Sequence, residues 1–237
     1  MRLELLYGEK ALKNLRKSRV VIVGCGALGS RTAEALARLG VKLFLVDMDV
    51  VGKENLETQL YYKEDIGKPK ASALANRLSQ FTKVKAVVEE LNQDTVRLLD
   101  RGLVVDGTDN FETRFLINDY CVKNNKAWVF GAVLRNQGMA ALFKPTGPCY
   151  SCVFSMPKSF QTCDTVGVSN EAAAIVSSIQ SSLAVKHLLG KRISQELIVI
   201  DLEKYSFEKI KMKKNRKCKP HSGKFEYLDK PVSEAIK

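Results

Sequence analysis

The chain has 237 residues, 45% of them hydrophobic and 27% charged, which is the make-up of a folded globular protein with one large domain or a core plus a small appendage. No apolar run is long enough to span a bilayer, since the longest, 172-AAAIVSSIQSSLAVKHLLG-190, is broken by Ser, Gln, Lys and His. The opening MRLELLYGEK lacks the apolar stretch of a signal peptide, so a cytoplasmic, non-membrane protein is expected.

In chain order, residues 3–17 read as a short amphipathic helix. The β-branched run 19-RVVIVG-24 has the pattern of a strand buried on both faces. A Gly-rich turn leads into a helical pattern, 27-ALGSRTAEALARLG-40, and then a second buried strand, 41-VKLFLVD-47. This is a right-handed βαβ unit, and the rhythm repeats: helix 69–81, strand 84–88, helix 93–99, strand 102–106, helix 111–125, strand 127–133. Residues 138–144 are predicted to pair antiparallel with the preceding strand. A loop rich in Pro, Gly, Cys and Ser runs from 145 to about 168, a helix spans 170–189, and 197–202 with 205–212 read as a hairpin. The last residues are polar and are expected to be loose. The expected fold class is α/β, a Rossmann-like doubly wound, mostly parallel sheet with a C-terminal antiparallel extension. Residues 1–144 would form the nucleotide-binding core. Residues 145–237 would add the cysteine-bearing loop, a helix and the hairpin, packed on the same core.

The turn 24-GCGALG-29 matches G-x-G-x-x-G between a strand and a helix. Such glycines let the backbone approach a phosphate, and the helix N-terminus supplies N–H donors and positive potential. Asp47 ends the second strand, where an acid can accept hydrogen bonds from ribose hydroxyls. Alone, this fingerprint reads as a dinucleotide site and favours an NAD-dependent oxidoreductase, the plain alternative being a glycine turn with no ligand.

Three further segments bear on the choice. Asp49 follows Asp47 in 47-DMDVVGKENLETQL-60, which also contains an Asn-Leu-x-x-Gln element. In 67-GKPKA-71, Pro69 suits the first turn of a helix and puts Lys70 where it can reach phosphate oxygens. In 106-DGTDN-110, carboxylates lie at the ligand-binding end of a parallel strand and can hold Mg²⁺ through hard oxygen ligands. Each has a plain reading too: Lys70 as a solvated lysine, Asp109 or Asn110 as a helix cap. Together they place a cation and carboxylates around the glycine loop, which nucleotidyl transfer needs and hydride transfer does not.

The set resembles the ThiF/MoeB/HesA family of adenylyltransferases, relatives of ubiquitin-activating enzymes. The matching positions are Gly24, Gly26 and Gly29; Asp47 and Asp49; Asn55, Leu56 and Gln59; Gly67, Pro69, Lys70 and Ala71; Thr108, Asp109 and Asn110; and Arg135 in 131-GAVLRNQG-138. The resemblance spans about residues 8–221. It implies that Asp47 holds ribose, that Lys70 and Asn55 hold phosphates, and that Asp109 binds Mg²⁺, with Arg135 also in the catalytic set. The product would be an acyl-adenylate on the Gly-Gly end of a ubiquitin-like or sulfur-carrier protein. A homodimer, and a conjugating enzyme or sulfurtransferase as further partner, go with it. Two departures stand out: Thr58 replaces the family's usual Arg, and of the family's Arg-rich N-terminal arm only Arg2 is a candidate. Alternatives are an NAD-dependent oxidoreductase, a tRNA-activating member of the same superfamily, and a subunit that only binds partners.

The six cysteines are residues 25, 121, 149, 152, 163 and 218. Cys149-x-x-Cys152 and Cys218-x-x-His221 are two knuckles far apart in sequence, which predict a closed tetrahedral Cys₃His zinc site; the alternative is four unrelated residues in loops. Cys163, in 161-QTCDTVGV-168, precedes a helix whose N-terminus lowers a thiol pKa. The resemblance implies that a Cys in such a Cys-x-x-x-Gly-Val context takes the activated partner as a thioester or acyl-disulfide, though some members keep it unused. Cys25 and Cys121 read as packing residues, and His187 as structural. The net charge of +12 reads first as a lysine-rich solvated surface and second as a match for an acidic partner: ATP, an acidic protein or RNA. The local concentration is 209-KIKMKKNRKCKPH-221.

Overall fold

A computed structural model describes residues 2–156 and 166–229. Eight strands form one sheet in the order β3-β2-β1-β4-β5-β6-β7-β8. They are β1 Arg19–Val23, β2 Lys42–Val46, β3 Val84–Val87, β4 Leu103–Asp106, β5 Trp128–Leu134, β6 Gln137–Phe143, β7 Glu196–Asp201 and β8 Ser206–Lys211. The first five run parallel, and β6, β7 and β8 are each antiparallel to the preceding strand. The parallel β1 and β4 are buried along almost their whole length because helices cover both faces, and their near-continuous Val and Ile content follows from that.

One face packs against α2 (Glu9–Lys17), α3 (Ala27–Arg38), α4 (Lys70–Leu78) and the 19-residue α7 (Asn170–Leu188). The other packs against α5 (Phe111–Lys123), the short α6 (Tyr150–Val153) and the C-terminal segment. Helix α5 is buried at every residue from Arg114 to Cys121, because the sheet lies on one side and α8 (Glu226–Asp229) lies on the other. Its buried polar side chains are all hydrogen-bonded, Tyr120 through its hydroxyl to Asp100. Arg114 Nε donates to Asp106, Asn118 accepts from the Tyr150 N–H, and Asp119 accepts from the Tyr227 N–H.

Three expectations need correcting. The helix expected over 3–17 is two helices, α1 (Arg2–Tyr7) and α2, separated at Gly8, whose φ of 78° breaks the ladder. The helix expected over 93–99 is a 3₁₀ helix at Val96–Arg101, preceded by an Asn92 side chain that turns the chain through the N–H groups of Asp94 and Thr95. The C-terminal residues up to Asp229 are docked: Tyr227 stacks on Phe115 at 4.9 Å, and Gln93 Nε2 donates to the Tyr227 carbonyl at 2.8 Å. Residues 230–237 lie outside the described residues.

Candidate functional site

The C-terminal edge of β1, β2 and β4 gathers most of the residues singled out from sequence. Between β1 and α3, Gly29 lies against Gly24 so closely that a Cβ on Gly29 would sit 1.8 Å from the Gly24 carbonyl oxygen. This contact sets the sharp entry into α3. Gly26 faces open space, with only the Gln59 amide nitrogen 4.0 Å from where its Cβ would be. A phosphate can approach the α3 N-terminus there. The Gln59 Oε1 is buried without a hydrogen-bond partner.

Asp47, just past β2, is nearly buried and receives the Cys25 N–H at 2.6 Å and the Asp49 N–H at 2.8 Å on its two oxygens. Burial raises its pKa, while these two backbone bonds pull it back down. Each oxygen keeps a lone pair for a further donor. Lys70 is the first residue of α4 and is almost fully buried; its Nζ meets Asp49 Oδ2 at 2.9 Å, and its N–H meets the Asp49 carbonyl at 2.8 Å. It is a packed, paired lysine facing the acids of the edge, not a solvated one. Asn55 Oδ1 accepts the Gly52 N–H at 2.9 Å, closing the turn that carries Asn55 and Gln59.

The loop after β4 is built on Asp106, which is fully buried. Its Oδ1 accepts the N–H and hydroxyl of Thr108, its Oδ2 accepts Arg114 Nε at 3.1 Å, and its carbonyl accepts Gln180 Nε2 at 2.6 Å. Burial raises the Asp106 pKa and the Arg114 guanidinium opposes it. Of the two cap candidates, Asn110 is the N-cap of α5, accepting the Thr113 N–H at 2.8 Å. Asp109 is exposed, and among the described residues its carboxylate has no hydrogen-bond or ion-pair partner.

Arg135 lies in the turn between β5 and β6 with φ 52°, and its backbone exchanges hydrogen bonds with the 167–169 segment, at 3.0 Å to the Gly167 carbonyl and 3.0 Å from the Ser169 N–H. Cys163 lies outside the described residues. Cys25 and Cys121 are fully buried with raised pKa values, as packing residues should be, and His187 is half-buried with its pKa lowered by burial.

On the α5 face of the sheet, one ligand atom from each of Cys149, Cys152, Cys218 and His221 comes within 4.8 Å of the others. Tyr150 fixes the first knuckle by inserting among Phe115, Phe130, Trp128 and Phe143 at centroid distances of 5.0–5.9 Å. Sγ of Cys149 lies 3.8 Å from that of Cys152 and 3.4 Å from that of Cys218. His221 Nε2 is buried with no hydrogen-bond partner. A buried imidazole nitrogen facing three thiols fits a metal ion as the missing partner, so the cluster could hold one.

The chain matches the ThiF family over residues 1–220. It is 36% identical over 229 residues to a Thermus thermophilus protein named sulfur carrier protein adenylyltransferase, covering 89% of this chain and 84% of that one. It is 35% identical to the SAMP-activating enzyme E1 of Haloferax volcanii, covering 89% and 83% respectively. The chain belongs to the ThiF family. Among solved structures, E. coli MccB with ATP shares the fold, with a TM-score of 0.79, 19% identity, and coverage of 92% of this chain and 72% of that chain.

For a ThiF-family chain, the residues that the sequence reading missed are those supporting the edge from behind. Arg114 and Gln180 hold the Asp106 loop, and Thr32 Oγ1 donates to Gln180 Oε1 at 3.2 Å. Tyr61 donates to the Cys25 carbonyl at 2.8 Å, and Ser30 Oγ accepts the Leu60 N–H at 3.3 Å. Arg31 Nη2 bonds both Asn170 Oδ1 at 2.8 Å and the Thr58 carbonyl at 3.4 Å, while Asn170 Nδ2 donates to the Glu57 carbonyl at 2.7 Å. None of these has a local sequence signature, because each partner is set by tertiary contact.

Proposed function

We propose that this protein uses ATP to adenylate the C-terminal Gly-Gly carboxylate of a ubiquitin-like or sulfur-carrier protein. The observation that carries the reading is the shared edge: an open glycine loop, Asp47 beside it, Lys70 paired to Asp49, and the unpartnered Asp109 carboxylate. Asp47 has lone pairs left for ribose hydroxyls. Lys70 exchanges Asp49 for phosphate oxygens, and Asn55 and Gln59 present amides to the same phosphates. Asn110 fixes the loop by capping α5, and Arg135 stands at the β5 end of the edge, where the acyl group would enter. Bound at Asp109, Mg²⁺ would neutralise charge on the phosphate oxygens. The incoming carboxylate oxygen bonds the α-phosphorus, the bond to the bridging oxygen of the β-phosphate breaks, and pyrophosphate leaves with that electron pair.

The metal at the Cys₃His cluster is proposed to be zinc. Tetrahedral zinc with Zn–S bonds of about 2.3 Å separates two sulfurs by about 3.8 Å, against Cys149–Cys152 and Cys149–Cys218 spacings of 3.8 and 3.4 Å. Its role is structural, since all four positions are taken by protein ligands. Cys163 is proposed to receive the acyl group from the adenylate, its sulfur bonding the acyl carbon as the bond to the phosphate oxygen breaks and AMP leaves. A homodimer and a cytoplasmic location complete the reading; among the described residues no helix is long and apolar enough to cross a membrane. The dehydrogenase alternative lacks a histidine acid/base at the edge, because one of the chain's two histidines is in the metal cluster and the other ends α7.

The test is ATP–pyrophosphate exchange with and without a β-grasp partner ending in Gly-Gly. Exchange that requires this terminus is expected. Exchange that ignores the partner, or none with any such partner, overturns the proposal.

A further inference from the structure

The lysine-rich segment singled out in the sequence is not used by the edge that holds the glycine loop. Residues 209–219 contain seven cations in eleven positions and no acid. All seven, Lys209, Lys211, Lys213, Lys214, Arg216, Lys217 and Lys219, are exposed. Among the described residues only Lys219 forms an ion pair, with Glu226.

The topology sets where they face. Asp201 pairs with Gln137 and with Ser206, so the start of β8 lies at the same sheet edge as the glycine loop and its end, Lys211, lies at the opposite edge. Four strand spacings separate β4 from β8, about 19 Å. The basic run thus starts on the outermost strand and continues away from the nucleotide site towards the metal cluster.

Lysines on an edge strand commonly block strand-to-strand aggregation. That accounts for Lys209 and Lys211. It does not account for the five cations after Met212, where no strand edge remains to protect. Protein interfaces are depleted in lysine, whereas phosphate backbones are bound by it through counterion release. On β8, Phe207, Lys209 and Lys211 share one face, with Glu208 and Ile210 on the other; Phe207 is 62% exposed, and Tyr205 in the preceding turn is 89% exposed. Cations in line with exposed rings are the combination that single-stranded nucleic acid uses, with phosphates on the lysines and bases on the rings.

We propose that the strip from Tyr205 along β8 to Lys219 binds single-stranded nucleic acid, largely without regard to sequence. It is independent of the adenylation reading, because none of these residues is among those assigned to the nucleotide.

The experiment is fluorescence anisotropy of the full chain with fluorescein-labelled single-stranded oligonucleotides of about 20 nucleotides, RNA and DNA in separate arms, over a salt series. A Lys209→Ala, Lys211→Ala, Lys213→Ala, Lys214→Ala variant should bind at least about tenfold more weakly, with a salt slope shallower by about 0.7 for each phosphate no longer neutralised. A control that removes four exposed lysines elsewhere, Lys10→Ala, Lys17→Ala, Lys83→Ala, Lys85→Ala, should change binding less than threefold. Phe207→Ala should weaken binding about tenfold with the salt slope unchanged, a signature of stacking. Melting temperature and pyrophosphate exchange should stay at wild-type values in every variant. Three results overturn the proposal: no binding by the wild type to either oligonucleotide, equal losses in the strip and control variants, or intact oligonucleotide binding with a raised KM for the protein substrate. The last would make the strip a protein-docking surface.

Discussion

Removing the metal proposed at Cys149, Cys152, Cys218 and His221 tests how the C-terminal segment is held to the sheet. Four ligands join two knuckles that are 66 residues apart at their nearest, Cys152 and Cys218. Treated as a cross-link closing a loop of that length, the site restricts the unfolded chain by about 4 kcal/mol. The segment has other anchors, namely the Tyr227–Phe115 stack and the bonds of Tyr227 to Asp119 and Gln93, so it does not detach entirely without metal. For a domain of this size each kcal/mol moves the melting temperature by about 2–4 °C, so chelation should lower it by about 10 °C. Scanning fluorimetry with and without a strong chelator gives the shift, and elemental analysis of the same samples reports the metal. Cys218→Ser should reproduce the loss and become insensitive to chelator. Complete removal of metal with a shift below about 2 °C would refute the cross-link argument, and native protein without metal would refute the site.

Lys70→Ala should lower pyrophosphate exchange at least about a hundredfold while costing only about 1 kcal/mol of stability, because its partner Asp49 has a side chain 54% exposed and is resolvated by water; exchange at the wild-type rate would return Lys70 to a packing role. Arg114→Leu strips the paired cation from the fully buried Asp106 and should destabilise by about 3–5 kcal/mol, read from urea unfolding, with a loss below about 1 kcal/mol contradicting the charge argument. Asp119 is held at about 6 by burial, above its ordinary 3.8, so the folded chain takes up this proton more readily than the unfolded one. Its contribution is therefore full below about pH 4 and is lost as pH rises through about 6; between about pH 4.5 and 7 wild type should lose on the order of 2 kcal/mol more than Asp119→Asn, and parallel pH profiles would reject the assignment.

What could be read from the sequence was what is local. The glycine loop, the parallel βαβ rhythm and the Cys-x-x-Cys and Cys-x-x-His knuckles each lie within a few consecutive residues, and their chemistry follows from spacing. Helix α5 was legible as a helix, expected over 111–125 and found at Phe111–Lys123, but its burial on all sides was not. It is buried all round, so no apolar stripe betrays a face, and the polar residues that would mark a solvent side are instead bonded to Asp106, Tyr150 and Tyr227. The docking of residues 225–229 depends on Tyr227 meeting Asp119 across 108 positions, which no composition reveals. Lys70 was placed correctly at a helix start, but its near-complete burial against Asp49 needed the fold. The direction in which the lysine run points needed the antiparallel register of β6, β7 and β8.

The least obvious of these long-range contacts concerns position 58, where the family resemblance expects arginine and the chain has threonine. The guanidinium of Arg31, on the second turn of α3, reaches the Thr58 carbonyl and Asn170, and Asn170 in turn holds the Glu57 carbonyl. One cation thus ties the Asn55–Gln59 turn both to the glycine-loop helix and to the first residue of α7. The Arg31 Nε is buried with no partner, so the side chain is held by its Nη2 bonds and by packing. Arg31→Ala should free the turn. Hydrogen bonds from a charged donor are worth about 1.5–3 kcal/mol, and losing that restraint should raise KM for ATP about tenfold or more, with kcat changed much less. Arg31→Lys should not restore it, because a single ammonium cannot span both acceptors in the planar geometry of the guanidinium. Asn170→Ala should produce the same KM effect, and the double variant should be no worse than either single one if they act as one clamp. A melting temperature that falls steeply while KM stays at the wild-type value would make Arg31 a packing residue only.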